Sequence, residues 1–303
     1  MLQIKLCGVR LDTPLMLAAG ILGLSGSLMR RVAQAGAGAI VTKSIGYEPR
    51  EGYANPTVVE VTAGFINAIG LSNPGFRAFK QEISEGQKAG KPVFVSVFGA
   101  TPQEVREIVE GLEETDPAGY ELNVSCPHGG KYGAIVGQDP DLVKAMTYEL
   151  RKVTKRPLFV KLSSNVTDIV EIGLAAQHGG ADAVTAINTL KAMVIDPELW
   201  RPILANKIGG LSGPAIKPVA VRCVYELAKK LDIPVIGVGG IFTWQDVVEF
   251  LLAGAHAVQI GSAIAQKGLT VFNQISKGLR SYLTRRNLEH ITQLIGKAHD
   301  PPI

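Results

Sequence analysis

A cysteine at the end of a predicted buried strand is the first residue whose surroundings suggest chemistry. The segment Glu121-Leu-Asn-Val-Ser-Cys126-Pro-His-Gly-Gly130 begins as an apolar run and ends in a loop containing proline and glycine. Asn123 lies at the polar end of this strand, and Cys126 follows at its exit. A thiol in such a place can act as an acid or base that a loop then covers. A free cysteine is equally common in an apolar core, so the rest of the chain has to decide.

Polar residues and glycines end the other predicted strands in the same way. Lys43 and Lys161 each finish an apolar run, where a lysine can either extend into solvent or bind an anion. Lysines and asparagines on one rim suit an anionic substrate and an electron-rich ring, because asparagine can bind an amide or imide edge. The residues at the strand ends are Gly20, Lys43, Ser44, Ser96, Asn123, Cys126, Lys161, Asn188, Thr189, Gly239, Gly240, Gly261 and Ser262.

Two of these strand ends are candidates for phosphate binding. Gly239-Gly240 and Gly261-Ser262 follow the last two predicted strands, where barrel enzymes often bind phosphate through backbone N–H groups. A tight turn alone would also account for either pair. The loop Asn67-Ala-Ile-Gly-Leu-Ser-Asn-Pro-Gly75 is either a turn or, through its two asparagines, a grip on a small planar heterocycle.

The elements that must position these residues alternate between strand and helix along the chain. Thr101 and Thr243 each resemble an N-cap followed by an acidic first turn. Predicted strands cover residues 15–19, 39–43, 93–98, 120–125, 158–162, 183–188, 235–238 and 257–260, and predicted helices include residues 101–114, 139–154, 216–231 and 243–253. This α/β alternation predicts a (β/α)8 TIM barrel, and the first strand lacks the GxGxxG turn of a doubly wound sheet.

A short motif that recurs along the chain supports a repeated βα unit. Gly-Ala pairs recur at residues 36–37, 180–181 and 254–255, each closing a helix and opening a strand, as glycine does at a helix C-terminus. Two connections are long, residues 44–71 with a short strand at 57–61, and residues 189–213. In a barrel, long insertions after strands lie over the catalytic face. The chain after residue 272 is predicted to form one or two helices, and residues 1–303 are predicted to form a single domain.

Composition excludes several functional classes. The chain has 303 residues, 46% hydrophobic and 19% charged, with a formal charge of +4 and no long basic run, so nucleic-acid binding is not expected. Its three cysteines, Cys7, Cys126 and Cys223, form no CxxC pair, so neither a metal site nor an iron–sulfur cluster is expected within this chain. No apolar run reaches about 18 residues and no signal-peptide pattern begins the chain, which predicts a cytoplasmic location without membrane attachment.

These motifs together resemble the dihydroorotate dehydrogenase family over almost the whole chain. The matching stretches are Asn67-Ala-Ile-Gly-Leu-Ser-Asn-Pro-Gly, Glu121-Leu-Asn-Val-Ser-Cys-Pro, Val160-Lys-Leu-Ser-Ser-Asn-Val, Ile187-Asn-Thr, Gly209-Gly-Leu-Ser-Gly-Pro-Ala and Gly237-Val-Gly-Gly-Ile. Cysteine at position 126, where membrane-bound relatives carry serine, resembles class 1. The stretches at residues 202–207 and 209–217 are most similar to class 1B, the NAD-linked type.

The resemblance implies oxidation of (S)-dihydroorotate to orotate in pyrimidine biosynthesis, with one FMN per chain. Cys126 would be the base that removes the C5 proton while the C6 hydride passes to N5 of FMN. Substrate would be bound by Lys43, Asn67, Gly70, Leu71, Asn73, Asn123, Asn188 and Thr189. FMN would be bound by Gly20, Lys43, Ser44, Asn123, Lys161, Ile187, Gly213, Gly239, Gly240, Gly261 and Ser262.

The resemblance also implies partners. Class 1B chains form homodimers that join an electron-transfer subunit carrying FAD and a [2Fe-2S] cluster, giving a heterotetramer that reduces NAD. The lack of a cysteine cluster in this chain agrees with that arrangement and equally with the single-chain, fumarate-linked class 1A. Three positions depart from the family pattern: His128, where asparagine is usual, Ser96, where asparagine is common, and Lys191, where an apolar residue is more usual.

Other functions fit part of the pattern. A dihydropyrimidine dehydrogenase-like flavoenzyme would use the same cysteine base on a ring without a carboxylate, which leaves Lys43 unexplained. A phosphosugar lyase or isomerase barrel could use Lys161 as a Schiff-base lysine, but it leaves Cys126 and the asparagine loop unexplained. A catalytically silent ligand-binding barrel is disfavoured because so many reactive groups share one rim.

Overall fold

The apolar runs that end in polar residues form parallel strands, and these close into a barrel. The computed structural model describes residues 1–124 and 136–299. Its strands in chain order are β1 (Ile4–Leu6), β2 (Val9–Leu11), β3 (Leu15–Leu17), β4 (Ala39–Val41), β5 (Val58–Val61), β6 (Gly64–Asn67), β7 (Val93–Val97), β8 (Gly119–Asn123), β9 (Leu158–Leu162), β10 (Ala183–Ala186), β11 (Leu190–Met193), β12 (Ile195–Asp196), β13 (Arg201–Pro202), β14 (Ile208–Ser212), β15 (Val235–Val238) and β16 (Ala255–Ile260). Around the barrel the order is β10-β15-β16-β3-β4-β7-β8-β9, and the predicted (β/α)8 fold is confirmed.

Helices connect the barrel strands and cover their outer side. Thr101 and Thr243 cap the helices Pro102–Leu112 and Trp244–Leu252 as predicted, and Thr243 forms a capping box with Asp246. The helices are α1 (Gly26–Gln34), α2 (Phe76–Gln87), α3 (Pro102–Leu112), α4 (Pro140–Val153), α5 (Ile169–His178), α6 (Lys217–Ala228), α7 (Trp244–Leu252), α8 (Ala263–Lys267) and α9 (Thr270–Arg285). Short 3-10 helices occur at Glu113–Thr115, Val136–Gln138, Pro214–Ile216 and Ile291–Leu294.

The predicted strands and helices occur with small shifts at their ends. The fourth barrel strand begins and ends earlier than predicted, at Gly119–Asn123, and the last begins earlier, at Ala255. The chain after residue 272 is helical as predicted, first in α9 and then in a 3-10 turn. Such shifts are expected because strand ends are set by tertiary hydrogen bonds as well as by the apolar pattern.

The barrel strands are buried and pack against the helices in one apolar core. Strand β7 is buried along its whole length, and the rings of Phe94 on β7 and Phe159 on β9 have centroids 4.8 Å apart. The hairpin of β1 and β2 packs at the amino ends of the strands, where the thiol of Cys7 donates to the carbonyl oxygen of Asp182, next to β10. The polar residues predicted from sequence lie at the opposite, carboxyl ends of the barrel strands.

The two long connections form extra sheets. Strands β5 and β6 come from the first connection, and β11 and β14 come from the second. They pair as a four-stranded antiparallel sheet in the order β11-β14-β6-β5, and β12 and β13 form a small hairpin beyond it. Since Phe65, Asn67 and Ser212 of this sheet line a cavity with residues from the barrel strand ends, the insertions lie over that end of the barrel, as predicted.

Candidate active site

A cavity of about 320 Å³ lies at the carboxyl ends of the barrel strands. Its wall combines barrel residues with the antiparallel sheet, so residues that are far apart in the sequence meet there. The site residues predicted from sequence that line it are Gly20, Lys43, Ser44, Asn67, Gly70, Leu71, Asn123, Lys161, Ile187, Asn188, Thr189, Gly213, Gly239, Gly240, Gly261 and Ser262. The structure therefore brings these predicted residues to one place, while their individual roles remain predictions.

Two predicted site residues are outside this set. The first, Cys126, lies outside the described residues. His128, which departs from the family pattern, also lies outside them. The second is Asn73. Asn73 is buried beside the cavity, where its side chain holds the loop that carries Leu71. Its amide donates to the carbonyl oxygen of Leu71 over 2.8 Å and accepts from the N–H groups of Gly46 and Gly75. Asn73 can thus shape, from behind, the loop that is predicted to bind substrate.

Amide and hydroxyl groups form a chain of hydrogen bonds along one wall. The side-chain amide of Asn188 donates to Asn123 over 3.2 Å, and that of Asn123 donates to the hydroxyl of Ser44 over 3.1 Å. Ser44 in turn is 2.9 Å from the hydroxyl of Ser96, which is fully buried behind the wall. Mutual hydrogen bonding fixes which amide face each asparagine can offer a ligand.

The other departures from the family pattern lie away from the cavity wall. Ser96 supports Ser44 from inside the barrel, so its short side chain fits the wall without lining the cavity. Lys191 on β11 is exposed, and its backbone N–H donates to the side chain of Asn165 over 2.9 Å. The ammonium of Lys191 therefore adds charge to the outer sheet.

A buried acidic residue was not assigned a role from sequence. Glu121 on β8 points into the barrel below the cavity, with a carboxylate oxygen 3.9 Å from the ammonium of Lys161. Gln259 on β16 also lines the cavity and contacts both residues. The sequence did mark Glu121 and Gln259 as unusual, because each is a polar side chain in an otherwise apolar strand. Such a side chain needs a polar partner when it is buried.

The glycine turn after β15 has a conformation that other residues adopt poorly. Gly239 has a φ of 133° and Gly240 a φ of 71°. A Cβ on Gly240 would also lie 2.8 Å from the carbonyl oxygen of Gly213, so the backbone there is closely packed. The residues predicted to bind phosphate all line the cavity: Gly239, Gly240, Gly261 and Ser262.

Asp246 at the start of α7 fixes the loop that follows Gly240. One carboxylate oxygen accepts from the N–H groups of Phe242 and Thr243, over 2.9 and 2.8 Å. The other oxygen accepts from the ammonium of Lys217 over 2.8 Å. Burial acts to raise the pKa of Asp246, but the hydrogen bonds from Lys217, Phe242 and Thr243 hold that pKa below its usual range.

Comparison with known proteins supports the same interpretation. The sequence pattern of the family described as Dihydroorotate dehydrogenase matches residues 1–283. The chain belongs to the dihydroorotate dehydrogenase family. It is similar to the catalytic subunit of dihydroorotate dehydrogenase B (NAD(+)) from Pyrococcus furiosus, 52% identical over 297 residues that cover 98% of each chain. The protein of the same name from Methanocella arvoryzae is 53% identical over 292 residues, 96% of each chain.

These names confirm the predicted resemblance to class 1B of the dihydroorotate dehydrogenase family, and the chain is an oxidoreductase. A solved structure described as DHODH in complex with ferulenol from Eimeria tenella superposes with a TM-score of 0.84 over 99% of this chain and 89% of that one. At 22% identity this likeness shows the fold. Family membership excludes the phosphosugar lyase and the silent barrel. None of the helices in the described residues is long and apolar enough to cross a membrane.

We expect Asp246→Asn to destabilise the protein by about 2 kcal/mol at pH 7, because two backbone N–H groups and Lys217 lose a charged acceptor. The folded-state pKa of Asp246 is lowered, so its stabilisation is present above the unfolded carboxyl value of about 3.9 and disappears as pH falls through the folded value. Urea unfolding of wild type and variant between pH 7 and about pH 3 measures the difference.

The matched control for this prediction is Glu249→Gln. Glu249 also pairs with Lys217, over 2.7 Å, but its side chain is exposed, so we expect a change below about 0.5 kcal/mol. Equal stability of Asp246→Asn and wild type at pH 7, or a deficit that does not shrink as the pH falls below about 3.9, would contradict the assignment.

Proposed function

We propose that this chain catalyses the oxidation of (S)-dihydroorotate to orotate in de novo pyrimidine biosynthesis, with FMN as its cofactor. The observation that carries the proposal is the convergence of the family's motif residues on one cavity, with Lys43, Lys161 and the asparagines along its wall. The names of the relatives, which are catalytic subunits of dihydroorotate dehydrogenase B, support the same reaction.

The residues present fit one FMN per chain. An added Cβ at Gly20 would have nothing within 4 Å and one at Gly261 would meet only Ala18, so the backbone leaves room for a planar ring or its tail to approach closely. Lys161 places a positive charge at the same cavity. The proposed FMN ligands are Gly20, Lys43, Ser44, Asn123, Lys161, Ile187, Gly213, Gly239, Gly240, Gly261 and Ser262. FMN, when bound, supplies the hydride acceptor of the reaction.

The proposed substrate ligands match the chemistry of dihydroorotate. A carboxylate on the ring suits the ammonium of Lys43, while Asn67, Asn123 and Asn188 offer amide donors and acceptors to the imide edge. Gly70, Leu71, Asn73 and Thr189 complete the proposed set, with Asn73 holding the loop from behind. A dihydropyrimidine without a carboxylate would leave Lys43 without its anionic group, so the carboxylated ring is the better substrate.

We assign the proton transfer to Cys126. Its thiolate takes the proton from C5 while the hydride leaves C6, and a double bond forms between these two carbons. The other two cysteines are unsuited to this role. Burial raises the pKa of Cys7 to about 12 and that of Cys223 to about 11, so both remain protonated thiols at neutral pH.

Reoxidation requires an acceptor outside this chain. We propose that electrons pass to NAD through a partner subunit that carries FAD and a [2Fe-2S] cluster, since the relatives are named as NAD(+)-linked catalytic subunits. The fumarate-linked reaction of class 1A is the alternative. Because NAD is the proposed acceptor, we also propose a cytoplasmic location.

We further propose a homodimer of this chain within a heterotetramer, and the apolar hairpin region suits a second copy. Trp200 is 89% exposed, and the same insertion exposes four more large apolar side chains: Met193, Ile195, Leu199 and Ile208. The same region carries Asp196, Glu198 and Arg201. Because both signs of charge are present, an acidic residue of one copy can pair with Arg201 of the other across a two-fold axis.

An anaerobic absorbance spectrum tests the reaction. We expect purified protein to show a flavin band near ~450 nm that dihydroorotate bleaches, because hydride transfer reduces the ring. Dihydrouracil is the matched substrate without a carboxylate and should bleach the band far more slowly. Subsequent addition of NAD with the partner subunit, or of fumarate alone, identifies the acceptor. A colourless chain that takes up no FMN would overturn the proposal.

Cys126→Ala should keep FMN bound and slow its reduction by dihydroorotate at pH 7 by about 10²-fold or more, since the base is lost. Cys126→Ser should recover part of the rate at alkaline pH, because a serine hydroxyl loses its proton at a higher pH than a thiol does. Stopped-flow reduction of the flavin measures both rates. Cys223→Ala is the matched control and should reduce at the wild-type rate; an unchanged rate in Cys126→Ala would remove Cys126 from the mechanism.

Trp200→Ala should raise the dissociation constant of the homodimer at least tenfold, because a central tryptophan contributes about 2 kcal/mol or more to such interfaces. Light scattering across a concentration series measures the change. Tyr148→Ala removes another exposed aromatic residue, on α4, and should leave the dimer intact. A wild-type chain that is monomeric at all concentrations, or a dimer unaffected by Trp200→Ala, would contradict the assignment of this surface.

A further inference from the structure

Glu121 is a buried charge that the proposed reaction does not use. Its side chain is 0% exposed and projects from β8 into the barrel, one layer below the cavity. Three residues from three other strands meet it there: Lys161 on β9, Thr185 on β10 and Gln259 on β16. A carboxylate is costly to bury unless it is bonded and paired, so these contacts need a reason.

The two carboxylate oxygens have different surroundings. One accepts from the hydroxyl of Thr185 over 2.9 Å and from the amide of Gln259 over 2.5 Å. The other accepts no hydrogen bond from the residues that the structure describes and lies 3.9 Å from the ammonium of Lys161. Two neutral donors therefore bond to the same oxygen of this side chain. The nearby ammonium supplies the opposite charge.

Lys161 is held from the same side by a second group. The side-chain oxygen of Gln259 is 3.5 Å from the ammonium, and the amide of the same residue donates to Glu121, so Gln259 bridges the pair. Lys161 is only 5% exposed, and that exposure is to the cavity. The ammonium is therefore placed between a fixed carboxylate below it and the cavity above it.

We propose that Glu121 is a positioning residue that fixes Lys161 at the FMN site and partly neutralises the positive charge that Lys161 presents to the flavin. This inference rests on the proposed FMN function. A full positive charge beside the ring would stabilise the reduced, negatively charged flavin strongly and would make onward electron transfer less favourable. A compensated charge lets the same lysine assist hydride transfer and still release the electrons to an acceptor.

Sulfite binding to the FMN-loaded protein tests the charge directly, without turnover. Sulfite adds to N5 of oxidised flavin through its own electron pair and leaves negative charge on the ring, which bleaches the visible band. Glu121→Gln keeps the size and hydrogen bonding of the side chain but removes its charge, while Gln259 still holds Lys161. We expect sulfite to bind about tenfold more tightly to this variant, and the flavin midpoint potential to rise by about 30 mV, the same factor for a two-electron couple.

Two further variants separate charge from packing. Glu121→Asp keeps the charge but withdraws it from Lys161 by one methylene group, so its sulfite affinity should lie between those of wild type and Glu121→Gln. This variant carries the test if Glu121→Gln does not fold. Thr185→Val removes a hydrogen bond at the same depth without changing charge, and we expect its sulfite affinity to remain within about twofold of wild type, because Gln259 still bonds the carboxylate.

The possible outcomes separate a failure of the proposed role of Glu121 from a failure of the proposed FMN-dependent function. Sulfite affinity in both Glu121 variants that equals or falls below wild type, with FMN bound, would overturn the role of Glu121 and leave the proposed function intact. An equal increase in Thr185→Val would also overturn it, because packing would then be the cause. A wild-type chain that takes up no FMN would overturn both proposals.

Discussion

Closure of a parallel barrel is the constraint on which the rest of this structure depends. Eight strands, each bonded to a neighbour on both sides, leave no exposed edge, and all of them point their carboxyl ends the same way. Lys43, Asn123, Lys161 and Asn188 belong to different βα units, yet closure places them around one cavity. The apolar strand interiors supply the stability that lets this rim carry several charged and amide side chains.

The same closure creates an electrostatic problem inside the barrel. Interior side chains of neighbouring strands stack in layers, so a charge in one layer is removed from water and has to be matched within reach. Four residues meet this requirement together: Glu121, Lys161, Thr185 and Gln259. The carboxylate of Glu121 and the ammonium of Lys161 carry opposite charges, and the other two side chains bond the carboxylate. The arrangement that allows these charges to be buried can also tune a redox cofactor. The stability of the buried charges and the redox behaviour of the cofactor both depend on the local electrostatic potential.

The insertions give the barrel its particular site. Strands β5 and β6 follow one barrel strand and β11 to β14 follow another, but β5, β6, β11 and β14 join as a single sheet over the cavity. This sheet brings Asn67 to the cavity, and the hairpin beyond it carries the exposed Trp200. One insertion layer thus connects the proposed substrate site with the surface proposed for assembly, which is consistent with an enzyme that works within a larger complex.

The sequence by itself determined the order of the barrel strands and helices, the barrel, the family and most of the polar residues that line the cavity. It could do so because apolar periodicity, glycine turns and polar strand ends are local signals that the barrel then repeats. The tertiary structure alone decided that Glu121 meets Gln259, 138 positions later in the chain, and that the amide of Asn73 turns to its own loop. These contacts depend on strand register and loop packing, which bring together side chains whose separation along the chain carries no sign of their meeting.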